Sequence, residues 1–344
     1  MKNLAFRLSL ALPLMLLAAC SSDSDDSKSG GSGPIDDDTQ FEPAPQGEDR
    51  PGSLPSPTVD CAAGEGTLQG RFLAPNGTTP VAGAFVYVAS GNCWAGTDKD
   101  GYFALTGLPM EETTVRAEKG LFRSEVKATP GTDTLSLQVD PTSVRFAYVP
   151  GIFDTIEEVL GRLGFSAEEI DATAFTAERL ADYDAVFLNC GLDPAPAEDP
   201  AALEALRTYV EGGGVLYASD WAEMYVKGAF PNAVNFASPD TRIGDSGTHE
   251  AKVLDAGLAR ALGRDTATIT FDAPVWAVVD SVPSSTRVLV SGPVVTMDGV
   301  ELADRPYMVQ FEAGEGRVTY TSFHNEAQTT QDVDTLLEQL LFQL

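Results

Sequence analysis

Two short segments, "YDAVFLNCG" and "GGGVLYASDW", each carry an apolar run with no polar interruption, over 185–188 and 215–218. A strand with one wet face alternates apolar and polar residues. A strand that is apolar throughout must be covered on both faces, as in a parallel sheet flanked by helices. "SVRFAYVPG", from Ser143 to Gly151, reads the same way. Helices are expected between these strands. One starts near Asp154, whose carboxylate can cap it with Glu157 three residues on. The other is "DPAALEALRTYVEGGG", which opens with Asp199 as cap and Pro200 at the first helical position and ends in a glycine stop. The stretch 232–265 reads as an insertion followed by a helix, "DAGLARALG". Strand-like runs "TATITF", "RVLVSG" and "YMVQFEAGEGRVTYTSF" come next, with a closing helix from about Gln331 to Phe342.

The N-terminus predicts the compartment. Lys2 and Arg7 precede an apolar stretch from Leu8 to Leu17, too short to span a bilayer stably, and Leu17-Ala18-Ala19-Cys20 follows. That tetrapeptide resembles a bacterial lipobox. The resemblance implies cleavage before Cys20 and lipidation of its thiol, giving a protein tethered to a membrane of the cell envelope. Ser21 lacks the aspartate that retains some lipoproteins at the inner membrane, which favours the outer one.

Residues 21–60 hold ten acidic side chains against Lys28 and Arg50, with Ser, Gly and Pro filling most of the rest. Such a segment has too little apolar surface to offset the entropy of folding. As a flexible coil it spans about 35 Å, enough to hold a folded body clear of the lipid. The net charge of −29 opposes binding to nucleic acid or to anionic headgroups.

With Cys20 assigned to the anchor, Cys61 and Cys93 fall in one segment and Cys190 stands apart. In an oxidising envelope a disulfide between Cys61 and Cys93 is expected, two buried thiols being the alternative. No Cys and His spacing matches a zinc site, and neither metal nor cofactor is expected.

From 61 to 140 the runs "GTLQGRFLAP", "GAFVYVASG", "YFALTGLP", "TTVRAEKG", "FRSEVKATPG" and "TLSLQV" alternate and are separated by turn residues. This is the pattern of an all-β sandwich. Asp98-Lys99-Asp100-Gly101 reads as a hairpin turn, since the ligands that would complete a calcium loop are missing. With Gly70, "PVAGAFVYV" and "TDKDGYFALTGLP", the segment resembles the carboxypeptidase regulatory-like domain, a transthyretin-like sandwich. The resemblance implies a spacer or a glycan-binding module.

From 141 to 344 the order "YDAVFLNCG", helix, "GGGVLYASD" and the late hairpin "VQFEAGEGRVTYTSFHNE" resembles the class I glutamine amidotransferase-like fold. That implies a flavodoxin-like α/β domain, doubly wound on a mostly parallel sheet. In the family's catalytic members a nucleophile follows the strand occupied here by Gly214 to Ala218, and an His-x-Glu pair lies near the C-terminus. Ser219, His324 and Glu326 take those positions.

A serine hydroxyl becomes nucleophilic when an imidazole takes its proton and a carboxylate holds the imidazole. Against that role, a nucleophile elbow needs small flanking residues, and Ser219 is flanked at two positions by Tyr217 and Trp221, with the charge of Asp220 adjacent. Cys190 reads as packing, and His249 and Glu250 as a polar pair with no spacing that demands a metal. Trp221, Tyr225, Phe230 and Phe236 read as core or insertion packing. The expectation is a non-catalytic binding or scaffolding lipoprotein, with a glycan or an envelope protein as partner. Two alternatives stay open: a serine hydrolase or peptidase using Ser219, His324 and Glu326, and carbohydrate binding through the sandwich.

Overall fold

The computed structural model describes Cys61 and residues 64–89, 93–131, 134–237, 241–325 and 330–344. The leader, Cys20 and the acidic stretch over 21–60 lie outside the described residues. The fold is mainly β, with one large mixed sheet and several helices. Among the described residues no helix is long and apolar enough to cross a membrane.

Seven strands come first: β1 (Gly66–Leu73), β2 (Phe85–Val88), β3 (Trp94–Gly96), β4 (Tyr102–Leu108), β5 (Thr113–Lys119), β6 (Phe122–Ala128) and β7 (Thr134–Gln138). They form two sheets, ordered β4-β1-β7 and β3-β2-β5-β6. Strand alternation buries Leu68 and Phe72 from one sheet with Val86, Val88, Val115 and Ala117 from the other in one core. Cys61 and Cys93 form a disulfide. In the turn before β4, Asp98 Oδ1 accepts from the amides of Asp100 (2.9 Å) and Tyr102 (2.8 Å), and Gly101 takes a φ of 77°. The carboxylate there serves its own backbone.

The rest of the chain runs β8 (Phe146–Val149), α1 (Ile156–Leu163), β9 (Ala167–Glu169), α2 (Ala177–Leu180), β10 (Ala185–Leu188), α3 (Pro200–Glu211), β11 (Val215–Ser219) and α4 (Glu223–Ala229). It continues through β12 (Asn235–Phe236), β13 (Gly247–Val253), α5 (Ala256–Leu262), β14 (Thr266–Phe271), β15 (Val279–Ser281), β16 (Thr286–Val295), β17 (Glu301–Ala313), β18 (Gly316–Thr321) and α6 (Gln331–Leu341). Nine of these strands make one sheet, in the order β14-β13-β16-β17-β18-β11-β10-β8-β9. From β18 to β9 neighbours are parallel, and from β14 to β18 they are antiparallel.

The apolar runs do what their pattern requires. In β10 and β11, Ala185, Phe187, Val215 and Tyr217 enter one core cluster, while Val186, Leu188, Leu216 and Ala218 enter the other. α1 buries Ile156, Val159, Leu160 and Leu163, one helical stripe, against the first cluster. α3 covers the opposite face, capped by Asp199 Oδ1 on the Ala201 amide (2.9 Å) with Pro200 at its first position.

The first cluster crosses residue 140 without a break. Phe122 of β6 lies 5.2 Å from the rings of Phe165 and Phe342 and 6.2 Å from Phe146. Gly120, at φ 53°, brings the backbone against the Leu344 carbonyl, where a Cβ would collide.

Parallel pairing has one consequence for function. It aligns the carboxyl ends of β8, β10, β11 and β18, through pairs such as Val149 with Leu188, Leu188 with Ala218 and Ser219 with Thr321. Open α/β sheets hold their ligands at that edge.

Candidate functional site at the carboxyl edge of the parallel strands

Four strand ends converge on one buried polar cluster. β8 runs on to Asp154, β10 to Asn189 and Cys190, β11 to Ser219 and Asp220, and β18 to His324 and Asn325. Gly151 permits the approach of the first two, because a Cβ on it would run into the Cys190 carbonyl.

Asp154 sits underneath. It is buried and accepts from the Ser219 hydroxyl, from the Asn325 amide (2.8 Å) and from the Cys190 amide (3.3 Å). The cap expected of it is absent: α1 is preceded by Thr155, with no side-chain cap. The donors at that helix start are met from other strand ends. Asn325 Oδ1 accepts from the Thr155 amide (2.9 Å), and Asn189 Oδ1 from the Ile156 amide (3.3 Å). Glu157, expected to complete the capping box, instead accepts from the Asn189 side chain at 3.0 Å. Asp154 is thus left as an acceptor for the strand edge. Burial pushes its carboxyl up to about 6, and the nearby His324 charge and the bonds from Ser219, Asn325 and Cys190 pull in the opposite direction.

Ser219 is fully buried. Among the described residues, its hydroxyl reaches Asp154 and the Leu188 carbonyl, the latter at 3.4 Å. Its backbone is ordinary extended strand, φ −119° and ψ 139°. The bent residue is the next one. Asp220 has a φ of 40°, in the left-handed region that costs a non-glycine residue on the order of 1–3 kcal/mol. Several contacts hold it there. Oδ1 accepts from the Ala277 amide (2.6 Å), and its carbonyl accepts from the Tyr320 hydroxyl (3.0 Å). Oδ2 faces both the Cys190 thiol (3.3 Å) and His324 Nε2 (3.0 Å).

His324 has carboxylates on both sides, with Nδ1 3.3 Å from Asp272 Oδ1. Only the doubly protonated ring donates from both nitrogens. Burial opposes that charge, but the hydrogen bond to Asp220 and the fields of Asp154, Asp220 and Asp272 outweigh it and raise the ring to about 9. Phe153 stacks on the imidazole at 6.2 Å. Cys190 is fully buried, and burial beside Asp220 and Asp154 pushes its thiol far above the ordinary range.

A partly exposed rim surrounds the cluster. Phe153 packs edge-on to Trp221 at 5.2 Å, and the Arg242 guanidinium lies 4.5 Å over the Trp221 ring. The indole N–H reaches the Val275 carbonyl (2.9 Å), and Val275 itself takes a φ of 73°. Ile152 projects beside this rim, 77% exposed.

The edge therefore brings together Ser219, Cys190 and His324 of the residues expected from sequence. Glu326 lies outside the described residues. His249 is elsewhere: β13 carries it, with three strands between it and β11, and its ring packs 6.0 Å from Phe271. Glu250 is exposed on the same strand. Tyr217 is buried with its hydroxyl on Thr321 (2.9 Å), and Tyr225 donates to the Asp193 carbonyl (2.6 Å). Phe230 and Phe236 pack on Phe311 and Tyr320. Sequence reasoning missed Asp154 and Asp220 as the cluster's acceptors, and Asp272 and Asn325 altogether.

Chemically, the edge offers a histidinium between two carboxylates and a buried hydroxyl committed to a third. No protein-family model matches the chain, and no curated protein matches it in sequence. Among solved structures it is similar to a protein described as ThuA-like from Bacteroides uniformis, at 15% identity and a TM-score of 0.45, over 58% of this chain and 90% of that one. It is also similar to a Thermoplasma acidophilum protein described as a GMP synthase component (12% identity, TM-score 0.41, 58% and 94% covered). A second ThuA-like protein, from Parabacteroides merdae, matches at 14% identity and a TM-score of 0.37, over 57% and 88% of the two chains. Likenesses of this size carry no argument about chemistry.

Proposed function

We propose that this chain is an envelope lipoprotein, anchored through Cys20 and held off the outer membrane by residues 21–60, whose folded part binds a partner or ligand and does not cleave it. In this reading residues 61–140 are a carboxypeptidase regulatory-like sandwich, and 141–344 a flavodoxin-like domain of the class I glutamine amidotransferase-like type. The lipobox-like Leu17-Ala18-Ala19-Cys20 supports the anchor. The seven strands from Gly66 to Gln138, with no helix between them among the described residues, and the parallel order β18-β11-β10-β8-β9 support the two folds.

One observation carries the binding role: the Ser219 hydroxyl is fully buried and donates to Asp154, while both nitrogens of His324 are engaged by carboxylates. Acyl transfer needs the reverse, a neutral imidazole accepting the serine proton beside an open oxyanion site. The partly exposed rim of Phe153, Trp221 and Arg242, the last paired with Glu223 at 3.2 Å, with His324 at its floor, suits recognition of a hydroxyl-rich ligand.

The test is exposure of the whole chain to a fluorophosphonate, read by intact mass. Wild type and Ser219→Ala are expected to remain equally unmodified. A stoichiometric adduct on wild type that Ser219→Ala lacks would overturn the reading and establish a serine hydrolase.

A further inference from the structure

We infer that Cys190 Sγ, Asp220 Oδ2 and His324 Nε2 are the protein ligands of a single divalent cation of the zinc class. The three atoms come from the ends of three adjacent strands, β10, β11 and β18, and lie within 4.8 Å of one another. Two of the separations are 3.3 Å (thiol to carboxylate) and 3.0 Å (imidazole to carboxylate). Donors at zinc bond lengths of about 2.0–2.3 Å in a tetrahedron stand roughly 3.3–3.7 Å apart. Those two pairs reach that geometry by shifts of a few tenths of an ångström, and the third, thiol to imidazole at no more than 4.8 Å, closes by up to about 1 Å.

The protons are placed as a cation would be. The Cys190 thiol and the His324 N–H converge on one oxygen, Asp220 Oδ2. Thiolate, carboxylate and neutral imidazole are the forms that ligate metal, so binding M²⁺ expels both protons and leaves the positive charge where they stood. The process balances: thiol plus imidazolium plus M²⁺ gives the metal complex and two protons released to buffer.

The surrounding shell has the arrangement that ligands need. His324 Nδ1 faces Asp272, the carboxylate–histidine pairing that fixes a ligand ring. Asp220 Oδ1 is held by the Ala277 amide, and the Cys190 backbone by Asp154. A thiolate with an imidazole selects zinc over the hard cations magnesium and calcium. Three protein ligands leave a fourth position, on the side of His324, the most exposed of the three residues, for water or a donor atom of the bound partner. The inference rests on reading this edge as a binding site, and it goes beyond the sequence, where no spacing announces a metal.

The experiment is titration of the chelator-treated full chain with Co²⁺, followed by displacement with Zn²⁺. One Co²⁺ per chain is expected, with a thiolate-to-cobalt charge-transfer band and the intense visible bands of a four-coordinate ion. Cys190→Ser is expected to lose the charge-transfer band, and His324→Gln to bind neither ion stoichiometrically. Asp272→Asn keeps the band and weakens zinc binding by about 10–100-fold. Melting curves in chelator check that each variant folds. If Cys190→Ser does not fold, His324→Gln and Asp272→Asn decide. No charge-transfer band in wild type, or a band that survives in Cys190→Ser because Cys20 holds the ion, would overturn the inference. Absent metal binding together with absent fluorophosphonate labelling defeats this proposal and leaves the binding reading standing.

Discussion

Asp154→Ala is expected to lower the unfolding free energy by about 3 kcal/mol at pH 7, measured by denaturant titration. The substitution strands the Ser219 hydroxyl and the amides of Cys190 and Asn325, all buried or nearly so. Three orphaned donors at about 1–3 kcal/mol each make roughly 3–9 kcal/mol. Part of that is offset, because the variant no longer buries a carboxylate whose ionisation the fold disfavours. The carboxyl titrates near 6 against an ordinary 3.8, which is worth about 3 kcal/mol at neutral pH. The sign of the pH dependence follows. A raised carboxyl contributes stability that is complete below 3.8 and is lost as pH rises through about 6. The difference between wild type and variant therefore widens on acidification from pH 7 to 4. A variant as stable as wild type, or a gap that narrows on acidification, would show that Asp154 does not organise this edge.

The second large effect belongs to His324. Its ring is held at about 9 in the folded chain against an ordinary 6.5. Such a group contributes stability that is fully present below pH 6.5 and disappears as pH rises through 9. The interval corresponds to about 3 kcal/mol at most. With divalent cations chelated, the wild-type chain should lose roughly that much between about pH 6.5 and 10, relative to His324→Gln measured in parallel. The reference variant matters, because a net charge of −29 makes the whole chain sensitive to alkaline repulsion. Parallel curves for the two proteins would contradict the contact with Asp220 and Asp272.

Much of the parallel half was legible in the sequence, for one physical reason. Strands covered on both faces must be apolar at every position, and Ala185–Leu188 and Val215–Ala218 are. α3 was legible from its Asp199 cap, Pro200 and terminal glycines, all local signals. The antiparallel half was legible only in part: "TATITF", "RVLVSG" and "VQFEAGEGRVTYTSF" fall on β14, β16 and the β17–β18 hairpin, while β13 lies inside the stretch 232–265 that reads as an insertion and a helix. β16 and β17 pair through several register shifts, and bulges leave no clean alternation to read.

The site failed to read through for two reasons. Asp154 carries a helix-start signature, yet side chains arriving from residues 189 and 325 meet the first donors of α1 and leave its carboxylate to the strand edge. At the end of β11 the sequence offered Ser219 as the functional side chain, while the backbone bend falls one residue later, on Asp220. No glycine marks that bend. Asp272 is 52 residues from its partner His324 and arrives at the end of β14, across an order no local pattern encodes.

A double-mutant cycle tests most directly which neighbour His324 works with. Asp220→Asn, His324→Gln and their combination, compared by unfolding free energy in chelator, give the coupling between the two positions. The same cycle with Ser219→Ala gives the rival coupling. The structure predicts about 1–3 kcal/mol between Asp220 and His324, and a clearly smaller value between Ser219 and His324. A Ser219–His324 coupling that equals or exceeds the Asp220–His324 one would place the histidine with the serine and contradict the account.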